Sequence, residues 1–174
     1  MENMQNSQKT GHASGHGTHN SEHASGMYKR FAVMAVAMFG AMYFIMYAMI
    51  DGWQNLLLNI NNLYMTLLMT SAMLLIELLI MKMMYPNRKM NWLIAIISVA
   101  VGIFSWFGIR EQINVGDKQF AKGMIPHHAA AILMSEKAHL TDPELIELQK
   151  NILKTQAEEI ELMKRKLKEF EESK

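Results

Sequence analysis

The chain has no cysteine among its 174 residues, and this absence excludes two kinds of site. Disulfide bonds cannot form, and thiolate metal centres are excluded, which leaves histidine, methionine, aspartate and glutamate as metal ligands. A strong net charge is absent too, since the formal value is +1. Nucleic-acid binding usually needs a concentrated basic face, so we expect no nucleic-acid partner.

Charge is also nearly absent from the middle of the chain, where three long apolar runs stand. They cover residues 31–50, 63–84 and 92–109. At about 1.5 Å of rise per residue, each run would form a helix close to the roughly 30 Å thickness of a bilayer core. Residues 29–110 are therefore expected to form three transmembrane helices, and the lipid bilayer is the partner that these helices contact.

The basic residues that flank these runs predict the orientation in the membrane. One side of the membrane has Lys29, Arg30, Lys82, Arg88 and Lys89. The other side has Arg110, Lys118 and Lys122. Under the positive-inside rule the N-terminal tail is cytoplasmic and the C-terminal segment lies outside a bacterial inner membrane, in the periplasm or the extracellular space.

Glu77 is the one acidic residue inside an apolar run. A carboxylate within a membrane helix is a functional candidate by default. Glu77 also stands about two turns from the cytoplasmic end, where it would reach the interface or pair with Lys82. Both interpretations stay open from the sequence.

Methionine is abundant, with 18 residues, and its thioether sulfur is a soft ligand for Cu(I) or Ag(I). The first two apolar runs carry methionines at helical spacing: Met34, Met38, Met42, Met46 and Met49, then Met65, Met69 and Met73. These side chains would line a path for a soft monovalent ion, or they would pack against lipid and neighbouring helices. Packing is the commoner use of such residues.

Residues 1–28 are expected to form a disordered polar tail, because this stretch has almost nothing to bury. Four histidines are spaced along it: His12, His16, His19 and His23. A metal that drew the tail into a helix would find all four on one face. They are the weaker metal candidates, since the glycines among them oppose helix formation.

Residues 111–174 predict a soluble antiparallel hairpin of two helices, which makes the whole chain all-α. The second helix has a strong start signal in Thr141-Asp142-Pro143-Glu144, where a capping residue is followed by proline and an acid. Its apolar stripe consists of Leu145, Leu148, Ile152, Ile160, Met163, Leu167 and Phe170. The first helix is marked by apolar residues from Phe120 to Met134, and the turn is expected at residues 140–143.

Residues with metal-binding side chains fall on facing stripes of this hairpin. The first helix has two neighbouring stripes, Met124 with His127 and Met134, and His128 with Ser135 and His139. On the second helix Gln156, Glu159 and Met163 share a face. The hairpin would bring imidazole, thioether and carboxylate groups to one seam. Burying imidazoles there is costly unless something pairs with them, and a metal ion is one such partner.

The same segment resembles the family filed as domain of unknown function 305. The family pattern is roughly F-x-x-x-M-I-x-H-H, then A-I-x-M, then Q-x-x-E-I-x-x-M. In this chain "FAKGMIPHHAAAILMS" and "QAEEIELM" match it, over about residues 115–170. The resemblance implies a ferritin-like fold that binds copper in the bacterial periplasm and contributes to copper tolerance.

Carried over by position, the resemblance implies five metal ligands and two nearby polar residues. They are Met124, His127, His128, Met134 and Met163, with Gln156 and Glu159 beside them. The chain departs from the pattern at Ala129, where many members have glutamine or glutamate. Loss of that side chain would loosen the site if it orients a ligand.

The leading hypothesis is a membrane-anchored protein without enzymatic activity. It would bind copper, as Cu(I) or Cu(II), or silver, for sequestration, delivery or tolerance. One alternative is a ferritin-like di-metal oxidase, in which Glu136 and His139 would supply a Glu-x-x-His pair beside Glu159. Another is a metal-free scaffold that docks a metal efflux or chaperone partner. Because one hairpin is half of a four-helix bundle, we also expect a homodimer through the C-terminal hairpins.

Overall fold

The computed structural model describes residues 16–81 and 83–173, with side chains from residue 26 onward. The described ranges hold five long helices and no strand, and a short 3-10 turn at Trp53–Asn55 precedes the second helix. The helices are α1 (His16–Ile45), α2 (Ile60–Ile80), α3 (Arg88–Arg110), α4 (Asp117–Lys137) and α5 (Pro143–Glu172). The predicted order, three apolar helices and then a long antiparallel hairpin, is confirmed.

The first three helices are long and apolar enough to cross a membrane, as judged by length and composition. The spans are Gly26–Ile45, Ile60–Ile80 and Arg88–Arg110. Their interior holds small hydroxyl residues, since Thr66, Thr70, Ser71, Ser98 and Ser105 are all buried. Small residues let helix backbones approach closely, which is how helices pack when lipid surrounds them.

The first helix differs from the prediction at both ends. It begins at His16, so residues 16–28, which were expected to be disordered, are helical. Helix extension adds one hydrogen bond for each residue fixed, and this allows a polar segment to continue an apolar helix. At the other end the helix stops at Ile45 rather than residue 50. The Tyr47 hydroxyl donates to the Leu57 carbonyl at 2.8 Å and draws the chain into the next turn.

The turn between α2 and α3 lies four residues earlier than predicted. α2 ends at Ile80 rather than residue 84, and α3 starts at Arg88 rather than residue 92. Asn87 explains the early start, because its side-chain oxygen accepts hydrogen bonds from the backbone of Lys89 and Met90. An asparagine cap of this kind satisfies amides that the first helical turn leaves free.

The hairpin begins at Asp117, so Pro126 lies inside α4 and not in its first turn. Its helix pair encloses a cluster of buried aliphatic residues: Ala121, Ile125, Ala129, Ile132, Ile160 and Leu167. α5 begins as predicted, with the Asp142 carboxylate accepting from the backbone N–H of Leu145 at 3.0 Å. The two helices therefore pack through one aliphatic seam and keep their charged residues outside.

α4 rests on the N-terminal end of α2, and this contact positions the hairpin on the membrane helices. The side-chain oxygen of Gln119 accepts from the backbone N–H of Ile60 at 3.3 Å. The Asn61 amide donates to the Gln112 side chain at 3.2 Å. Gly123 faces this junction, where an added Cβ would lie 3.4 Å from the Asn61 amide nitrogen. The hairpin is thus joined to α2 by polar contacts and by one close backbone approach.

Candidate metal site in the helical hairpin

His128 joins the two helices of the hairpin. Its Nδ1 lies 2.9 Å from the backbone oxygen of Met124, and its Nε2 lies 2.6 Å from Oε2 of Glu159. A carbonyl oxygen can only accept, so Nδ1 carries a proton and donates it to Met124. The other ring nitrogen, Nε2, faces the Glu159 carboxylate across the seam. The predicted pairing of the His128 stripe with the Glu159 face is present in the structure.

Two methionines flank this contact on the same side. Met124 precedes His128 by one helical turn, and Met163 follows Glu159 by one turn. Because the helices are antiparallel, both steps run in the same direction along the hairpin. Both methionines are half-buried, and Met163 packs against the aliphatic cluster. One imidazole, one carboxylate and two thioethers thus belong to one end of the seam.

His127 does not share that seam, and the expectation that both histidines face it is corrected. Neighbouring residues on an α-helix point about 100° apart, because a turn takes 3.6 residues. His127 is exposed and instead lines a cleft between α4 and the ends of the membrane helices. The histidine pair is therefore divided between two surfaces of α4.

The remaining candidates on the hairpin lie at other positions. Gln156 is half-buried, one turn from Glu159 on the side away from Met163. Met134 is 57 % exposed and stands six residues beyond His128, about 9 Å along the helix axis. His139 is exposed and follows the end of α4 at Lys137. Because the helix stops there, Glu136 and His139 lack the helical i,i+3 relation that a Glu-x-x-His metal pair requires.

The donor set of the hairpin suits a soft ion better than a hard one. Within the described residues no three or more histidine, aspartate or glutamate side chains come together as a metal-binding group. A site at His128 would therefore need the methionines as well as Glu159. Thioether sulfur favours Cu(I) and is a poor ligand for hard cations, so the residues fit copper or silver better than magnesium or ferric iron.

The tail histidines cannot be placed in this site. His12 lies outside the described residues. For His16, His19 and His23 the structure describes the helical backbone alone. The hypothesis of a metal site in the tail stays a prediction.

Glu77, the candidate within the second apolar run, has a partner in the following turn. It is half-buried and accepts a hydrogen bond from the Tyr85 hydroxyl at 3.0 Å. Burial, and then this bond to the carboxylate, raise the pKa of Tyr85 to about 12. Lys82, the partner expected from the sequence, lies outside the described residues. The contact gives Glu77 a structural role at the end of α2.

Some methionines of the first two membrane helices pack between the helices, and others are exposed. The sulfur atoms of Met42 and Met46 lie 3.9 and 3.4 Å from the hydroxyl oxygens of Thr70 and Thr66. This side of α1 therefore packs against α2. By contrast, Met69 and Met73 are 42 % and 41 % exposed. A continuous methionine path along both helices stays a prediction.

Sequence reasoning missed the polar residues that seat the hairpin on α2. Asn59 and Gln112 stand in short connections and Asn61 in the first turn of α2, and none of them belongs to an apolar stripe. One signal was available, because asparagines clustered before an apolar run are typical of a helix start. The Asn59 side chain does accept from the backbone N–H of Asn62 at 2.9 Å.

Comparison with known proteins finds a family that matches the hairpin and a viral protein that matches a longer stretch of the chain. Residues 108–173 match the family described as "Domain of unknown function (DUF305)". The "Uncharacterized protein L153" of Acanthamoeba polyphaga mimivirus is 35 % identical over 108 residues, which is 61 % of this chain and 69 % of the viral protein. No solved structure matches the chain significantly.

Proposed function

The chain belongs to the DUF305 family, and from that premise we propose that it is a membrane-anchored protein whose hairpin binds copper. The proposed ligands are His128 and Glu159 with the flanking Met124 and Met163, and Gln156 lies beside them. Silver, which resembles Cu(I) in its preference for sulfur, would bind the same groups. Sequestration, delivery and copper tolerance are the roles that such binding would serve.

The orientation of His128 carries the proposal. Histidines that ligate metals almost always donate their second ring N–H to a carbonyl, a carboxylate or water. His128 makes such a bond from Nδ1 to the Met124 backbone, which directs Nε2 at the second helix. A metal ion bound between Nε2 and the Glu159 carboxylate would gain both an imidazole and a carboxylate ligand.

The distribution of charge supports a cytoplasmic N-terminus and a C-terminal hairpin outside the membrane. Tyr28 of α1 lies beside the first turn of α3, where its hydroxyl donates to the side-chain oxygen of Asn91 at 2.7 Å. Lys29, Arg30, Arg88 and Lys89 therefore cluster at one end of the helices. The positive-inside rule assigns that end to the cytoplasm, which leaves the hairpin in the periplasm of a bacterial inner membrane or outside the cell.

A second copy of the chain is the proposed partner of the hairpin. The two-helix seam leaves large apolar side chains in contact with water: Phe120, Met134, Leu145, Leu148 and Leu162, each at least 44 % exposed. Two hairpins would cover these residues and complete a four-helix bundle. Cross-linking in mild detergent should capture a dimer that Leu148→Asn weakens. A strictly monomeric chain would exclude this partner.

Copper titration of the full-length protein in detergent tests the proposed site. With Cu(I) and Cu(II) titrated separately, we expect His128→Ala to lower the affinity at the hairpin at least tenfold, in line with about 10–100-fold for changes around metal ligands. His139→Ala is the matched control, since His139 is exposed beyond the end of α4, and it should bind as the parent does.

Unchanged copper binding in the His128→Ala protein would refute the hairpin site. Absence of any binding by the parent would instead favour a scaffold that docks an efflux or chaperone partner. Stoichiometric iron together with oxidase activity would revive the di-metal alternative.

A further inference from the structure

A second set of soft donors surrounds the cleft between α4 and the membrane helices. This junction cleft has a volume of about 400 Å³. Its wall includes Met46 and Met49 from the turn after α1, Met65 from the first part of α2, and His127 from α4. The three methionines lie upstream of residues 108–173, so the family match does not include them.

The wall of the junction cleft has no aspartate, glutamate, lysine or arginine. Its polar members are His127, Gln112, Asn61 and Asn62, and the others are methionine, isoleucine, proline and alanine. Hard divalent cations are usually held by one or more carboxylates, and anions by lysine or arginine, so neither class is well matched to this wall. Thioether and imidazole groups at the edge of a membrane suit a soft ion of low charge.

The Met46 sulfur in the cleft is positioned by a neighbouring hydroxyl group but accepts no hydrogen bond from it. The Thr66 hydroxyl oxygen lies 2.7 Å from the Asn62 carbonyl and 3.4 Å from the Met46 sulfur. A hydroxyl has a single proton to donate, and the shorter contact to the carbonyl takes it. The Met46 sulfur therefore keeps its lone pairs available. Met49 and Met65 are 50 % and 37 % exposed, and flexible methionine side chains can turn toward an ion.

Two further observations at the cleft point to a ligand. The Asn61 side-chain oxygen is buried and has no hydrogen-bond partner in the described part of the chain. Such an acceptor is costly to bury unless something positive lies beside it. Gln112 has a backbone φ of 49°, a left-handed conformation that costs energy for a residue other than glycine. Strain of this kind is concentrated at binding sites.

We infer that the junction cleft binds one soft monovalent cation, Cu(I) or Ag(I), through Met46, Met49, Met65 and His127. The ion would tie the hairpin to the first two membrane helices, because its ligands come from both parts of the molecule. This site is separate from the proposed site at His128 and does not depend on it. The adjacent histidines would then serve two ions on surfaces of α4 that point about 100° apart.

Silver binding by the full-length protein in detergent tests this inference. The cleft variant replaces three ligands at once, as Met46→Leu, Met49→Leu and Met65→Leu. Its matched control replaces three exposed methionines elsewhere, as Met69→Leu, Met73→Leu and Met83→Leu. Leucine and methionine are close in volume, so both proteins should keep the helical fold. We expect the cleft variant to bind one Ag(I) fewer than the parent, and the control to bind as many as the parent.

A His128→Ala background separates the two sites. Silver binding at the cleft should persist there, and X-ray absorption of the remaining ion should show mainly sulfur neighbours with a nitrogen contribution that His127→Ala removes. The single variant Met49→Leu, at a half-exposed position, guards against misfolding of the triple variant and should weaken cleft binding at least about tenfold. Equal silver stoichiometry and affinity in the parent and the cleft variant would overturn the inference, as would an ion without sulfur neighbours.

Discussion

The hairpin and the membrane helices differ in what they bury. α4 and α5 enclose aliphatic side chains and carry their charges outside. α1–α3 enclose hydroxyl groups beside an apolar cluster around Phe31 and Leu78, and they present large apolar side chains outward. In water, burial of apolar surface drives packing at roughly 25 cal/mol per Å². Lipid removes that driving force, and close approach between small residues takes its place. Each half is thus matched to a different solvent, and the two adjacent histidines divide between the halves.

The largest expected effect follows from the aliphatic seam of the hairpin. Ile125 is fully buried there, so Ile125→Ala removes apolar contacts and leaves a cavity. We expect the free energy of opening of the hairpin to fall by about 2–5 kcal/mol. Amide hydrogen exchange of α4 and α5 in the full-length protein measures this change.

A matched truncation on the membrane helices tests the other side of the comparison. Ile103 on α3 is 54 % exposed, and its side chain has lipid to replace the contacts it makes. Ile103→Ala should change the free energy of opening of α2 and α3, measured by amide hydrogen exchange, by no more than about 0.5 kcal/mol. A loss as large as that of Ile125→Ala would mean that both halves depend on aliphatic burial.

A smaller effect is expected where α2 and α3 pack closely. A Cβ added at Gly108 would lie 2.9 Å from the ring of Tyr64. The ring cannot easily move, because the Tyr64 hydroxyl donates to the Ile113 carbonyl at 3.0 Å. Gly108→Ala should therefore destabilise the membrane helices by about 1–3 kcal/mol. Thermal unfolding of the two proteins in detergent measures this loss of stability.

Gly40 provides the control for that experiment, since a Cβ there meets no atom within 4 Å. Gly40→Ala should be neutral or slightly stabilising, because alanine favours helix more than glycine does. Equal destabilisation by both substitutions would show that the effect of Gly108→Ala does not come from the close packing of α2 against α3.

Those parts of the structure that depend on local pattern could be predicted from the sequence. The apolar runs gave three helices, and the Asp142-Pro143 signal placed the start of α5 correctly. Residue spacings along α4 and α5 predicted that the His128 stripe would face Glu159, because the two helices of an antiparallel hairpin lie side by side. The early start of α3 required recognising Asn87 as its cap, whereas the sequence prediction began the helix with the apolar run at residue 92.

The junction cleft could not be predicted, because it depends on how α4 sits on α2. No periodicity in the hairpin indicates that His127 faces Met46 and Met65, which lie far away in sequence. Left-handed backbone at Gln112 and Asn114 turns the chain between α3 and α4, and neither residue is a glycine that would signal such a turn. Tertiary placement of this kind is set by contacts between elements rather than by local pattern.

The smallest expected effect concerns Tyr85, at the opposite end of the membrane helices. Burial, and then the hydrogen bond to Glu77, raise the pKa of Tyr85 to about 12, whereas a tyrosine in an unfolded chain has a pKa of about 10. The folded protein thus holds the phenol proton more tightly. The stability that this provides is fully present below pH of about 10 and is lost as pH rises through about 12.

Glu77→Gln separates the two causes of that shift. The substitution removes the carboxylate and leaves the burial of Tyr85, the larger cause, in place. We therefore expect the pKa of Tyr85 to move only part of the way back toward about 10. Tyrosinate absorbance, compared with and without Tyr85→Phe, isolates the titration of this residue. A complete return to the ordinary value would make the carboxylate the dominant influence. The hydrogen bond to Glu77, rather than the burial of the Tyr85 ring, would then be the main cause of the raised pKa of Tyr85.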